Sequence, residues 1–115
     1  MSEECLFCKI ISGQIKGSKV YEDENVFAFR DINPQAPVHI LILPKKHIST
    51  ILEIDKEDEN LIGYLFAVAN RIATDEGIAA KGFRTVINCN KEAGQTVFHI
   101  HLHLLGGRYM GWPPG

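Results

Sequence analysis

Hydrophobic and polar positions alternate strictly over one short stretch near the end of the chain. Residues 99–105 read His-Ile-His-Leu-His-Leu-Leu. Successive side chains of a β-strand point to opposite faces of a sheet, so this stretch predicts a strand with three imidazoles on one face. Its aliphatic side chains then point to the other face, into the core of the protein.

A second pattern predicts a central strand. Residues 38–43 form a continuous apolar run that only His39 interrupts, which indicates a strand buried on both faces. Shorter strand-like segments lie at 20–22, 26–30 and 83–88, and a turn at 23–25 joins the first two into a hairpin.

Two segments are predicted to be helical. A long helix covers about residues 56–76, with Asp55 as its N-cap and Gly77 at its end. A short helix over residues 3–12 ends at Gly13. The apolar stripe of the long helix consists of Leu61, Ile62, Leu65, Phe66, Val68, Ala69 and Ile72. Hairpin-connected strands with one long helix predict an α+β fold whose antiparallel sheet has the histidine strand and the 38–43 strand at its centre.

Composition narrows the class of protein. A chain of 115 residues that is 45% hydrophobic predicts one domain over residues 1–115 with a small core. Its net charge of −2 gives no strong attraction to nucleic acid, and no apolar run approaches the ~20 residues of a membrane span. Three cysteines are too few and odd in number for a disulfide framework, so we expect a reducing, cytoplasmic location. Neither nucleic acid nor a membrane is an expected partner.

The row of histidines is the main candidate for chemistry. Imidazole titrates near pH ~6.5, so it can act as a nucleophile, base, acid or metal ligand at neutral pH. Three interpretations are open: the polar face of a half-exposed strand, a catalytic site, or a catalytic zinc bound by all three histidines. A structural strand gains nothing from three imidazoles on one side, so a functional site is favoured.

The Cys-x-x-Cys at Cys5 and Cys8 also has three interpretations. The two residues are three apart and share one face of the predicted helix. They are compatible with a redox pair, half of a zinc site, or two buried thiols. No strand-first thioredoxin pattern surrounds them, and a tetrahedral zinc would need histidines from elsewhere in the chain.

Three other polar residues are ambiguous from the pattern alone. His39 lies in a buried strand and needs hydrogen-bond partners, so it is either a satisfied core histidine or a support for the histidine row. Asp31 follows a strand, where a carboxylate can accept hydrogen bonds from a ribose diol or cap a turn, and composition alone favours the cap. His47, after Pro44, is by itself typical of a surface residue.

The histidine row resembles the signature of a known superfamily. Residues 99–105 match His-φ-His-φ-His-φ-φ, with φ apolar, which names the histidine-triad (HIT) nucleotide-binding superfamily. Segments 31–37, 44–49, 94–98 and 112–115 are similar to its Hint branch. The resemblance implies a five-stranded antiparallel sheet with one long and one short helix. It also implies a homodimer with a continuous ten-stranded sheet, with the tail at 108–115 packing at the dimer interface.

The same resemblance implies a purine nucleoside phosphoramidase, which hydrolyses the P–N bond of AMP–amine conjugates. His101 would be the nucleophile that forms a nucleotidyl-histidine, His103 would contact the phosphate and His39 would support it. Thr96, where many Hint proteins have Ser, would hydrogen-bond the leaving amine. The implied nucleotide-binding residues are Leu6, Phe7, Ile10, Phe29, Asp31, Ile32, Asn88, Gly94, Gln95, Thr96, Val97, His101 and His103. An apolar slot reads mainly shape, so GMP conjugates are expected substrates beside AMP conjugates.

Some family members with an N-terminal Cys-x-x-Cys bind zinc, and the resemblance implies the ligands Cys5, Cys8, His47 and His99. Such a closed site is structural, so the chemistry is expected to need no catalytic cofactor. Two rival functions stay open. One is a metal-dependent phosphohydrolase that uses all three triad histidines as ligands, and the other is a non-catalytic nucleotide-binding interaction protein. Trp112, in the tail, is expected to reach toward the active site of a partner subunit.

Overall fold

A five-stranded antiparallel sheet forms the centre of the computed structural model, which describes residues 4–115. In space the strands follow the order β1-β2-β3-β5-β4, so β3 is central and β5 is its neighbour, as predicted. The strands are β1 (Lys19–Glu22), β2 (Val26–Arg30), β3 (Val38–Pro44), β4 (Phe83–Val86) and β5 (Leu102–Gly106). The predicted α+β fold is therefore confirmed.

Both predicted helices are present. The short helix α1 covers Leu6–Ser12, and the long helix α2 covers Glu59–Asp75. A single 3₁₀ turn, Lys56–Asp58, precedes α2. Asp55 and Asp58 cap each other's backbone N–H groups and so fix the start of this turn. Gly13 has a φ of +86°, which explains why α1 ends there. Two further 3₁₀ turns lie at Ile51–Glu53 and Lys91–Ala93.

Each face of the sheet has its own core. Alternate residues of β3, such as Ile40 and Ile42, pack with α2 in the larger core. The residues between them, Leu41 and Leu43, pack with α1 in the smaller core. By the same alternation His39 faces the α1 side. In β5, Leu102 and Leu104 belong to the larger core, so the histidines of the row lie on the α1 side, and the chemistry is concentrated on that face.

The prediction of one strand through residues 99–105 is wrong at its beginning. The ladder between β3 and β5 ends at the pair Ile42–Leu102, so His99 and His101 precede β5. If the ladder continued, Ile100 would lie opposite Pro44, whose ring nitrogen carries no hydrogen to donate. Instead the Ile100 N–H donates to the carbonyl of Ile48 at 2.8 Å.

Smaller differences concern the ends and faces of other elements. Glu3, in the predicted short helix, lies outside the described residues, and Cys5 is the N-cap of α1 rather than a helical residue. The strand predicted over 83–88 ends at Val86. Phe66 is 42% exposed and does not belong to the buried stripe of α2. Within residues 4–115, no helix combines the length and the apolar character needed to cross a membrane.

Candidate functional site

The triad histidines gather beside α1. The rings of His101 and His103 have centroids 5.0 Å apart, which agrees with the prediction that they share one face. Phe7 of α1 meets the His101 ring edge-on at 4.9 Å. His101 is only 8% exposed and His99 is fully buried, whereas His103 is half-buried. The row therefore runs from the interior toward the surface.

The protonation of His101 follows from one backbone contact. Its Nδ1 lies 2.7 Å from the main-chain carbonyl oxygen of His99. A carbonyl oxygen only accepts, so Nδ1 carries the hydrogen and Nε2 of the neutral ring holds a lone pair. Burial lowers the pKa of His101 below its usual 6.5, although the bond to the carbonyl partly opposes this. Near pH 7 the ring is therefore neutral, as an attacking imidazole must be.

A second chain of contacts decides the tautomers of His39 and His103. The backbone N–H of Gln35 donates to His39 Nδ1 at 3.0 Å. His39 must therefore carry its hydrogen on Nε2, which lies 2.9 Å from His103 Nδ1. His39 donates there, so the hydrogen of His103 is on its remaining nitrogen, Nε2. We call the Gln35 N–H, His39 and His103 the imidazole chain; it ends in an N–H donor.

The surroundings keep the imidazole chain uncharged. Burial lowers the pKa of His39. Burial and the neighbouring imidazoles of His101 and His39 lower the pKa of His103 to about 4, with Asp31 acting in the opposite direction. Oδ2 of Asp31 lies 3.5 Å from His39 Nε2, while its Oδ1 accepts from the backbone N–H of Asn33. Asp31 thus caps a turn and also faces the histidines.

A separate group of four residues has the geometry of a metal site. We call Cys5, Cys8, His47 and His99 the thiol cluster, because their Sγ and Nδ1 atoms all lie within 4.8 Å of one another. The two nitrogens are 3.2 Å apart, and three nitrogen–sulfur distances are 3.4, 3.5 and 3.6 Å. A tetrahedral zinc, with bonds of ~2.3 Å to sulfur and ~2.05 Å to nitrogen, separates two nitrogens by about 3.3 Å and a nitrogen from a sulfur by about 3.6 Å. These four distances therefore match those of a tetrahedral zinc site.

Neighbouring groups orient the thiol cluster. The Nε2–H of His99 donates to the carbonyl of Pro44 at 2.7 Å, which leaves the lone pair of Nδ1 facing the two thiols. The backbone N–H of Cys8 donates to Cys5 Sγ at 3.4 Å, which fixes the position of that sulfur. Burial lowers the pKa of His99 to about 4, so its ring is neutral and able to bind a metal.

The turn before the triad is mostly braced from within. The backbone N–H groups of Gly94 and Gln95 already donate to the carbonyls of Lys91 and Asn90. The amide of Gln95 accepts from the Asn90 N–H and donates to the carbonyls of Ser49 and Val97. The main-chain hydrogens of Gly94 and Gln95, two of the implied nucleotide-binding residues, are therefore engaged in holding the turn. Thr96 is exposed beside them.

The predicted apolar slot divides into buried and exposed members. Phe7, Ile10 and Phe29 are buried together in the smaller core, where the Phe7 and Phe29 rings meet edge-on at 5.6 Å. Leu6 is exposed at the surface, and Ile32 is 98% exposed. The structure thus places three of these residues as a packed floor and two at the surface. Asn88 is half-buried in the segment after β4.

The sequence pattern gave no sign of the backbone groups that orient the rings. The carbonyls of Pro44 and His99 and the N–H of Gln35 decide three tautomers. Main-chain carbonyl and N–H groups do not depend on side-chain type, so no particular residue in the sequence indicates these contacts.

The tail after β5 lies along β4. Arg84 of β4 donates to the carbonyl of Gly111 at 2.9 Å, and its guanidinium lies 5.9 Å from the centre of the Trp112 ring. Trp112 itself is 82% exposed. The tail is therefore held at its stem and presents a large aromatic surface to its surroundings.

Comparisons with known proteins identify what the chain is similar to. The family model of the HIT domain matches residues 12–110 of the sequence. An uncharacterized HIT-like protein of Synechococcus elongatus is 51% identical over the full length of both chains. The purine nucleoside phosphoramidase of Escherichia coli K12 is 50% identical over 96% of this chain and 93% of its own. The crystal structure of a HIT family hydrolase from Legionella pneumophila Philadelphia 1 superposes with a TM-score of 0.96 at 54% identity, covering 97% of this chain and all of the other.

Proposed function

The chain belongs to the HIT domain family, and from this premise we propose that it is a purine nucleoside phosphoramidase. In this proposal it hydrolyses the P–N bond of AMP–amine conjugates in two steps, with a nucleotidyl group carried by His101 between them. The support is the 50% identity to the phosphoramidase of E. coli together with the geometry of His101.

The observation that carries the proposal is the hydrogen bond from His101 Nδ1 to the carbonyl of His99. It leaves the Nε2 lone pair available to attack phosphorus. The attack forms an Nε2–P bond and breaks the P–N bond, and the departing amine takes up a proton. Water then breaks the Nε2–P bond, which releases AMP and restores the imidazole. Two displacements replace one difficult displacement, as in other forms of covalent catalysis.

His103 has the complementary task. Because the imidazole chain directs its hydrogen to Nε2, His103 offers a donor to an oxygen of the phosphate, where negative charge develops during attack. A phosphate anion would be repelled by a lone pair at this point. In our proposal His39 acts on the substrate only through His103, and Thr96 donates to or accepts from the leaving amine.

The nucleoside is proposed to occupy the surface between α1 and the 31–37 loop. Leu6 of α1 and Ile32 of the loop are exposed apolar side chains, and Phe7 and Phe29 are buried in the smaller core. The Asp31 carboxylate is proposed to accept hydrogen bonds from the ribose hydroxyls, and Asn88 to position the phosphate or ribose. An apolar surface of this kind binds a purine by shape, so GMP conjugates are included as substrates.

We also infer one structural zinc in the thiol cluster. Cys5, Cys8, His47 and His99 would supply all four ligands, which leaves no open position for water or substrate. The metal would join the start of α1 to the segments after β3 and before β5, and would take no part in bond cleavage.

The rival in which one metal is bound by all three triad histidines is not supported by the geometry. Among residues 4–115, His99 belongs to the thiol cluster and His103 to a group with Asp31 and His39, while His101 belongs to neither. The donors of the second group are also directed for hydrogen bonding, since His39 Nε2 carries a hydrogen.

A homodimer with two active sites completes the proposal. Strand β4 lies at an edge of the sheet, and the stem of the tail follows it. Joining two copies along β4 would produce the ten-stranded sheet and bring each exposed Trp112 close to the other subunit. Sedimentation that shows only monomer at micromolar concentration would contradict this part.

The decisive experiment traps the intermediate. The protein is mixed with an AMP–tryptamine conjugate, quenched within milliseconds in alkali, which preserves a phosphorus–histidine bond, and analysed by intact and peptide mass spectrometry. We expect an AMP adduct located on His101. Tight AMP binding without adduct or product would instead establish the non-catalytic nucleotide-binding function.

A further inference from the structure

The loop that orients His39 is itself held by a residue of the tail. The Nε–H of Arg108 donates to the carbonyl of Gln35 at 3.0 Å, and its Nη1 donates to the carbonyl of Tyr109 at the same distance. One guanidinium thus bridges the loop at 31–37 and the beginning of the tail. Gln35 is the residue whose N–H begins the imidazole chain.

Two other contacts restrain the loop around Gln35. Within residues 4–115, the Gln35 side chain donates to the carbonyl of Asn33 in the same loop. Two residues farther on, Pro37 packs against Gly107 so closely that a Cβ on Gly107 would lie 2.9 Å from it. Gln35 is exposed, so the N–H that decides the tautomer of a buried histidine belongs to a surface loop. A restraint on that loop is therefore a restraint on the histidine.

The tautomer matters because the imidazole chain has two possible directions. With the Gln35 N–H in place, each hydrogen points outward and His103 ends as a donor. If the loop moves away, His39 can carry its hydrogen on Nδ1 and accept from His103 Nδ1. His103 Nε2 then becomes a lone pair, which repels a phosphate oxygen.

We propose that Arg108 is a positioning residue for phosphoryl transfer, which holds the main chain at Gln35 through its carbonyl so that His39 and His103 keep the donor direction. The inference rests on the proposed function for its kinetic consequence, but its structural consequence is independent of any substrate. Arg108 itself touches neither nucleotide nor reacting atoms in this account.

The test replaces Arg108 by methionine, which keeps an aliphatic stem and removes the donors. The matched control is Arg71→Met, since Arg71 is also exposed and donates to the hydroxyl of Tyr21 on the α2 side of the sheet, away from the histidines. Turnover of the AMP–tryptamine conjugate and AMP affinity are measured for both. The tautomers of His39 and His103 are read from long-range ¹H–¹⁵N correlations in labelled, substrate-free protein, and Arg108→Ala is used if the methionine variant does not fold.

For the Arg108 variant we expect kcat to fall about tenfold, as loss of one charge-assisted hydrogen bond implies, while AMP affinity changes by less than about threefold. His39 and His103 should show mixtures of both tautomers, and the Arg71 variant should match the wild type in every measurement. Unchanged tautomers in the Arg108 variant would overturn the proposal, whatever happens to kcat. If the wild type does not hydrolyse the conjugate, the proposed function fails, and the tautomers alone decide the role of Arg108.

Discussion

The thiol cluster and the imidazole chain lie on the same side of the sheet and are built from similar parts, yet their hydrogen atoms are placed in opposite ways. In the thiol cluster the carbonyl of Pro44 accepts a hydrogen bond from His99 Nε2–H, which leaves the lone pair of Nδ1 facing the thiols. In the imidazole chain an N–H stands behind His39, so the hydrogen faces His103. The backbone group behind the ring therefore decides whether an imidazole presents a lone pair or a donor hydrogen to its neighbours.

His101 sharpens this comparison because it combines features of both groups. Like His99, it donates from one nitrogen to a carbonyl and keeps a lone pair on the other. Unlike His99, it is not part of a metal-binding group in the described chain. A lone pair without a competing cation is what a nucleophile requires, so neighbouring residues of one row serve different purposes.

The largest expected effect separates His101 from both groups. His101→Asn should lower turnover of an AMP–amine conjugate by roughly 10⁴-fold or more, since the nucleophile is lost. AMP affinity and zinc content should stay within about twofold of the wild type. Steady-state kinetics, calorimetric titration with AMP and metal analysis test this, and retention of more than a small fraction of turnover would exclude His101 as the nucleophile.

The second effect is on stability and concerns only the thiol cluster. Replacing both Cys5 and Cys8 by Ser should release zinc and lower the melting temperature by roughly 10 °C or more, because metal binding contributes directly to folding. Cys89→Ser is the matched control, since Cys89 is half-buried and outside the cluster.

Below its melting temperature, the double variant should retain kcat within about threefold, as the carbonyl of His99 that orients His101 is a main-chain group. Wild-type protein with well under one zinc per chain, and a melting temperature unaffected by chelator, would show that the cluster is only a set of buried thiols.

The third effect concerns the direction of the imidazole chain. His39→Leu removes the donor to His103 and should lower kcat roughly 30- to 100-fold, as misplacement of a catalytic group does. His39→Gln retains an N–H near the position of Nε2 and should recover a substantial part of that loss. Equal defects in both variants would mean that His39 contributes packing rather than a hydrogen.

The smallest expected effect is the response of turnover to metal removal. After dialysis against EDTA at 25 °C, the wild type should hydrolyse the conjugate at a rate within about twofold of the untreated protein. Its melting temperature should nevertheless fall, because the zinc is proposed to be structural. Loss of turnover in protein that is still folded, with recovery on adding zinc, would instead support a metal-dependent reaction.

The periodicity of hydrophobic residues and the positions of glycine were sufficient to predict most of the fold. The alternation of residues 99–105, the apolar run at 38–43 and the glycine after each helix placed the central strands and both helices correctly. The error at His99 and His101 arose because alternation describes side chains, whereas a ladder also needs backbone donors on the neighbouring strand. Pro44 has no backbone N–H, so β5 begins at Leu102, three residues after the alternating pattern begins at His99.

The site was predictable in its residue types but not in its tautomers. The resemblance supplied His101, His103 and the four residues of the thiol cluster, and the structure brings the latter together. It supplied Gly94 and Gln95 as nucleotide-binding residues as well, and in the structure their N–H groups are engaged inside the turn. Which nitrogen carries each hydrogen depends on distances between backbone and ring, and those are set only by the folded chain.

The double use of His99 has a consequence for how this protein can change by mutation. Its imidazole faces the thiols, while its main-chain oxygen orients the ring of His101. The two uses share a residue but no atom, and every amino acid at this position would bring the same carbonyl. A descendant lineage can therefore discard the proposed zinc ligands, or acquire them, in small steps that each leave the imidazole of His101 oriented.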